Sequence, residues 1–214
     1  MPAKFCIRPL PLIIKMKTLL AIFFVFAILI QCYSQKQHSY YTLKDLEKIG
    51  VDSIKRLSLQ KEVIHKRTLP KIVKNLPNIE LLSLRPPVKK LTKYIGDGPC
   101  GITYMKSKLK KLPDWIVDLK TLRIIDLIGN PKLDLIIEIN KISKITTLEI
   151  LAIETDELND QLLQQLIILK QIKELHIKHI LTNKDSIFME KLKAELPNCV
   201  VGCSFFADYC DGNY

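Results

Sequence analysis

Four histidines and six cysteines are the side chains best suited to chemistry in this chain of 214 residues. Two of the histidines, His38 and His65, stand alone. His176-Ile177-Lys178-His179 is the one close pair, and with Cys203 or Cys210 it has the ligand types of a zinc site. The pair straddles the end of one strand-like stretch and the turn after it, and the cysteines have one another as oxidation partners. No metal site is therefore expected. The sequence contains no Gly-x-Ser-x-Gly, no His-Glu-x-x-His and no phosphate-cradling glycine loop. A catalytic constellation needs a nucleophile, a base and a group that orients it, and these spacings assemble none. The expectation is a non-enzyme with no catalytic residue, metal or cofactor.

The apolar residues carry far more order. An L-x-x-L-x-L core occurs at Ile54/Leu57/Leu59, Ile79/Leu82/Leu84, Leu122/Ile125/Leu127, Leu148/Leu151/Ile153 and Ile172/Leu175/Ile177. Weaker copies stand at Ile102/Tyr104 and Leu196/Cys199/Val201. The last apolar positions fall at 59, 84, 104, 127, 153, 177 and 201, in steps of 25, 20, 23, 26, 24 and 24. The fullest copy is Leu109 to Leu133, LKKLPDWIVDLKTLRIIDLIGNPKL. It resembles one unit of a leucine-rich repeat protein, whose period is 20–29 residues. The resemblance extends over the chain after its first 34 residues. It implies an α/β fold: a leucine-rich repeat solenoid with about seven parallel strands on the concave face and short helices on the convex face.

Alternation along a strand sends the two residues of each L-x-L to the same side, into the solenoid, and their neighbours outward. The return legs carry apolar residues at helical spacing, as in Leu162, Leu163, Leu166 and Leu169. Two departures from the family stand out. Only Asn130 occupies the turn position where the family has asparagine; Glu62, Pro87, Ser107, Asp156, Ile180 and Ser204 fill the others. The segment from Arg85 to Cys100, RPPVKKLTKYIGDGPC, also predicts an irregular loop. Residues 35–52 read as an N-terminal helical cap opened by Thr42-x-x-Asp45, residues 53–195 as the repeats, and residues 196–214 as a closing repeat with a C-terminal cap.

Residues 1–34 have the build of a signal peptide: lysines, the uncharged run Thr18 to Ile30, then Cys32 and Ser34 at the −3 and −1 positions. Cleavage is expected after Ser34, with export to the envelope, the periplasm or the medium. An uncleaved membrane anchor and a lipoprotein modified on Cys32 are the alternatives, and either Met1 or Met16 can be the start. Cleavage leaves 29 basic and 22 acidic residues, a net +7. It also leaves Cys100, Cys199, Cys203 and Cys210 in a compartment that permits disulfides. Cys203–Cys210 is the preferred pair and Cys199–Cys210 the second, because Cys100 would lie about four strand spacings away, roughly 20 Å.

Two surfaces follow from the expected register. The concave face collects Leu81, Ser83, Arg85, Thr103, Met105, Ile124, Asp126, Ile128, Ile150, Ala152, Glu154 and His176, with an apolar centre and a charged rim of Arg56, Arg85, Asp126, Glu154, Glu174 and Lys178. Protein interfaces are built this way, so a protein partner is expected there. The second surface is basic: Lys89, Lys90, Lys93, Lys106, Lys108, Lys110 and Lys111. It suggests an envelope or adhesion component on anionic polysaccharide or lipid, while export argues against nucleic acid.

Overall fold

The computed structural model describes residues 40–92, 101–179 and 185–202, all within one compact unit, Tyr40–Cys210. The expected leader and its cleavage site, Lys93, Cys100, Cys203 and Cys210 lie outside the described residues. The architecture is α/β. A sheet of six parallel strands holds β1 (Arg56–Ser58), β2 (Leu81–Ser83), β5 (Ile124–Asp126), β6 (Ile150–Glu154), β7 (Glu174–Lys178) and β8 (Val200–Gly202), in that order. A separate antiparallel hairpin joins β3 (Val88–Thr92) to β4 (Gly101–Tyr104). Helices α1 (Leu46–Ile49), α2 (Gln60–His65), α3 (Leu135–Ile142), α4 (Asp160–Leu166) and α5 (Asp185–Glu195) alternate with the strands. Short 3-10 turns cover Val51–Ser53, Lys71–Asn75 and Asp114–Asp118.

The register aligns Leu57, Leu82, Ile125, Leu151, Leu175 and Val201 across the sheet. Their side chains point to one face, as alternation requires, and join a single core with Val63, Ile116, Ile139, Leu162, Leu166 and Leu192 from the return legs. Asp134 caps α3 by accepting from Ile137 N at 3.3 Å, and Asn159 caps α4 by accepting from Leu162 N at 2.9 Å. At the other end Tyr41 bridges to Leu57 and occupies the free edge of β1. Asp45 accepts from both the N–H and the hydroxyl of Thr42 at 2.8 Å, which fixes the turn into α1.

Two expectations are corrected here. The third of the seven expected parallel strands, at Ile102/Tyr104, is β4 of the hairpin, and β2 pairs directly with β5. That copy lacks the first leucine of the core, and its partner β3 is only eight residues away (93–100), so local antiparallel pairing takes it. The step from Leu82 to Ile125 is therefore 43 residues, against 25 from Leu57 to Leu82. The unit still contributes its return leg, since Leu109, Leu112 and Ile116 are fully buried. The last strand also differs. Cys199 N donates to Leu196 O much as Ile172 N donates to Leu169 O, but Cys199 is followed by one fewer residue before the inward position. Val201 therefore faces Leu175, and Val200, 67% exposed, stands opposite Glu174.

A row of alternating charge runs just ahead of the strands. Lys55 pairs with Glu80 at 2.9 Å, Arg123 with Glu149 at 2.5 Å, and Lys173 with the other oxygen of Glu149 at 2.9 Å. These partners hold Glu149 below the usual carboxylate range, the Arg123 hydrogen bond first and that of Lys173 second. Exposed pairs of this kind contribute little stability singly. Their alternation opposes a slip of one unit, which would set like charges side by side.

Candidate functional site

The sheet face turned away from the core presents two rows. Arg56, Leu81, Ile124, Ile150, Glu174 and Val200 form the first. Ser58, Ser83, Asp126, Ala152, His176 and Gly202 form the second, and Glu154 and Lys178 extend it on β6 and β7. Ten of the twelve expected concave-face residues are in or adjoin this face; Thr103 and Met105 are not, because they belong to the hairpin and the segment leaving it. The expected apolar centre is also less open than its composition suggests. Leu81, Ile128 and Ala152 are buried, Ile124 and Ile150 half-buried, and the exposed Met105 is off the sheet.

Arg85 and Asp126 are not rim charges. They form a buried ion pair, Nε to Oδ2 at 2.9 Å, with side-chain exposures of 6% and 8%. The other Asp126 oxygen accepts from Ile128 N at 3.1 Å. The pair exists because β2 and β5 are neighbours: Ser83 faces Asp126, and Arg85, two residues further on, meets it diagonally. A strand between them, as the spacing predicted, would have separated them by about 9.6 Å.

The hairpin returns to the sheet at Tyr104. Arg85 Nη1 donates to its hydroxyl at 3.5 Å, and Lys178 Nζ lies 4.5 Å from its ring centroid. Lys178 also pairs with Glu154 at 2.7 Å, and Glu154 accepts from Gly129 N at 2.7 Å. Gly129 has φ +79°, and a Cβ there would sit 2.6 Å from Pro86 Cδ. The turn after β5 therefore admits only glycine beneath the start of the hairpin. Spacing places Tyr104 at the last apolar position of a weak copy and gives no sign of this contact with Arg85 and Lys178, and it does not single out Gly129. The Gly-Asn dipeptide is the available signal for the glycine.

Asn130 satisfies the same turn. Its amide donates to Leu84 O, Leu127 O and Ile128 O at 2.9, 3.0 and 3.2 Å. Its Oδ1 accepts from the hydroxyl of Ser107 at 2.6 Å. Ser107, which fills the turn-asparagine position one unit earlier, thus joins the same buried network.

Beside this turn, at the carboxyl ends of β5 and β6, opens a cleft of about 580 Å³ lined by Tyr104, Lys106, Asp134, Glu154, Glu157 and Lys178 among others. His176 is part-buried and 3.2 Å from Glu174; burial pushes its pKa down, and Glu174 pulls it partly back. His179 Nδ1 is 2.9 Å from Thr155 O, so the two histidines contact different groups. Among the described residues no three His, Cys, Asp or Glu side chains group as metal ligands. Cys199 is a free thiol packed against the core, and burial raises its pKa.

Of the expected basic surface, Lys89 is exposed on β3, Lys90 lies on the same strand, and Lys106, Lys108, Lys110 and Lys111 are exposed along the segment after β4. Among the described residues no helix is long and apolar enough to cross a membrane. No protein-family model matches the chain, and no curated protein sequence matches it.

Proposed function

We propose that the protein is a non-enzymatic binding scaffold: an exported leucine-rich repeat protein that holds a protein partner on the outer face of its parallel sheet. The observation that carries this is the in-register row Arg56, Leu81, Ile124, Ile150, Glu174 and Val200, apolar at its middle, flanked there by Arg56 and Glu174, and closed by the exposed Val200. Ile124 and Ile150 are adjacent, half-buried and outside the main core cluster, so they lend apolar contact without holding the fold. The buried Arg85–Asp126 pair and the Glu154–Lys178 pair stiffen the strands beneath, which lowers the ordering cost of association.

The test is the double substitution Ile124→Asp with Ile150→Asp. Two carboxylates at the centre of a desolvated contact should abolish capture of whatever envelope protein the unaltered chain retains. Circular dichroism and the unfolding midpoint should stay close to those of the unaltered chain. Undiminished capture by the variant would sink the assignment of this face.

A further inference from the structure

We propose that the segment 106–111, together with Lys66 and Arg67, is a preformed ridge for a linear carboxylated or sulfated polysaccharide. Burial alternates along it: Lys106, Lys108 and Lys110 are exposed, while Ser107 and Leu109 are 1% and 0% exposed. That is the period of an extended chain with one face in the core. Lys108 N donates to Val63 O at 2.7 Å and Lys110 N to Arg67 O at 3.1 Å, which ties the segment to its neighbour. The Ser107 hydroxyl, 2.6 Å from Asn130 Oδ1, pins it from below and accepts from Leu109 N at 3.1 Å. The alternate lysines are thus held about 6.8 Å apart, two extended residues, by groups that are themselves fixed. The exposed Lys66 and Arg67 lie on the segment that receives these bonds, and Lys111 extends the file.

Among the described residues, none of these six cations has a carboxylate within 4.0 Å, whereas Lys55, Arg123 and Lys173 are all paired. Asp114, just beyond the ridge, pairs with Lys141 at 3.3 Å instead. A single file of fixed charge fits a polymer bearing a charge on successive units. Leu109, the apolar residue within 106–111, is fully buried, so that segment itself offers no apolar wedge to a lipid surface. No tyrosine, tryptophan or phenylalanine lies within 61–67 or 105–111, so the ridge lacks the succession of large aromatic rings on which consecutive nucleic-acid bases stack. The ridge is separate from the rows assigned to the protein partner.

The experiment titrates the full chain with heparin and with polygalacturonate, with neutral dextran as a control. A single-stranded thymidine oligonucleotide and phosphatidylglycerol vesicles are run alongside at matched charge. The expected result is saturable binding to at least one of the two polysaccharides, weakening steeply with salt. Lys106→Ala, Lys108→Ala, Lys110→Ala and Lys111→Ala together should weaken it at least tenfold, and arginine at the same four positions should restore it. The Ile124→Asp, Ile150→Asp variant should bind polysaccharide as the unaltered chain does, so the ridge and the sheet face fail independently. Equal binding by the alanine variant overturns the proposal, as does no polysaccharide binding or tighter binding to the oligonucleotide or the vesicles.

Discussion

Replacing Asp126 with asparagine tests whether the pair with Arg85 holds the hairpin entry to the sheet. Asparagine keeps an acceptor for Ile128 N but removes the charge that faces Arg85 at 2.9 Å. Breaking one side of a buried pair leaves the other charge desolvated, which costs about 3–5 kcal/mol. The Ile128 contact survives, so the lower end applies, about 3 kcal/mol. Arg85→Met should cost a similar ~3 kcal/mol, because the Asp126 carboxylate would keep the Ile128 N–H but lose its cation. The double variant leaves no charge stranded, so its loss should be no more than ~3 kcal/mol rather than the additive ~6, a coupling of at least ~3 kcal/mol. A domain of this kind has a total stability of about 5–15 kcal/mol, so each variant remains measurable. Urea unfolding followed by the fluorescence of Trp115, the single tryptophan, gives the cycle. Losses that add within about 0.5 kcal/mol would refute the coupling and with it the role given to the pair.

Asn130→Ala should destabilise the chain by about 3 kcal/mol, since buried carbonyls of the turn lose their donor and the Ser107 hydroxyl loses its acceptor. A loss under ~1 kcal/mol in the same urea assay would mean that water replaces the amide. Glu138 supplies a pH test. Burial raises its pKa above the ordinary 4.5, and the N–H of Leu112 and the charge of Lys141 only partly offset that. A folded pKa above the unfolded one gives stability that is full below the unfolded value and lost as pH rises through the folded value. Glu138→Gln removes that loss, so its stability relative to the unaltered chain should rise from pH 4 to pH 7. Parallel pH curves for the two chains would contradict the assignment.

Much of the fold was legible because it rests on alternation and period alone. Leu57, Leu82, Ile125, Leu151 and Leu175 align across the sheet as their spacing requires, since an inward residue needs only the right distance from its own turn. The return legs were legible for the same reason: Leu162, Leu163 and Leu166 bury one helical face. The candidate site was less so. Its outward positions on β2, β5, β6 and β7 follow from alternation, but their exposure does not, because burial of Leu81 and Ala152 depends on what surrounds them in space.

What the sequence by itself determined is therefore the inward pattern, which is a local property of each unit. Which strands become neighbours was decided only in the tertiary structure. Ile102 and Tyr104 carry strand spacing, yet pairing with β3 removes them from the sheet and brings β2 against β5. That single exchange turns Arg85 and Asp126 from separate surface charges into a buried pair. It also aligns Ile124 with Leu81 in one row and leaves the segment after Tyr104 to run along the core with its lysines outward. The physical reason is that hydrogen-bonding capacity is the same along every strand, and the choice between a near and a distant partner rests on loop length and packing, which no local period encodes.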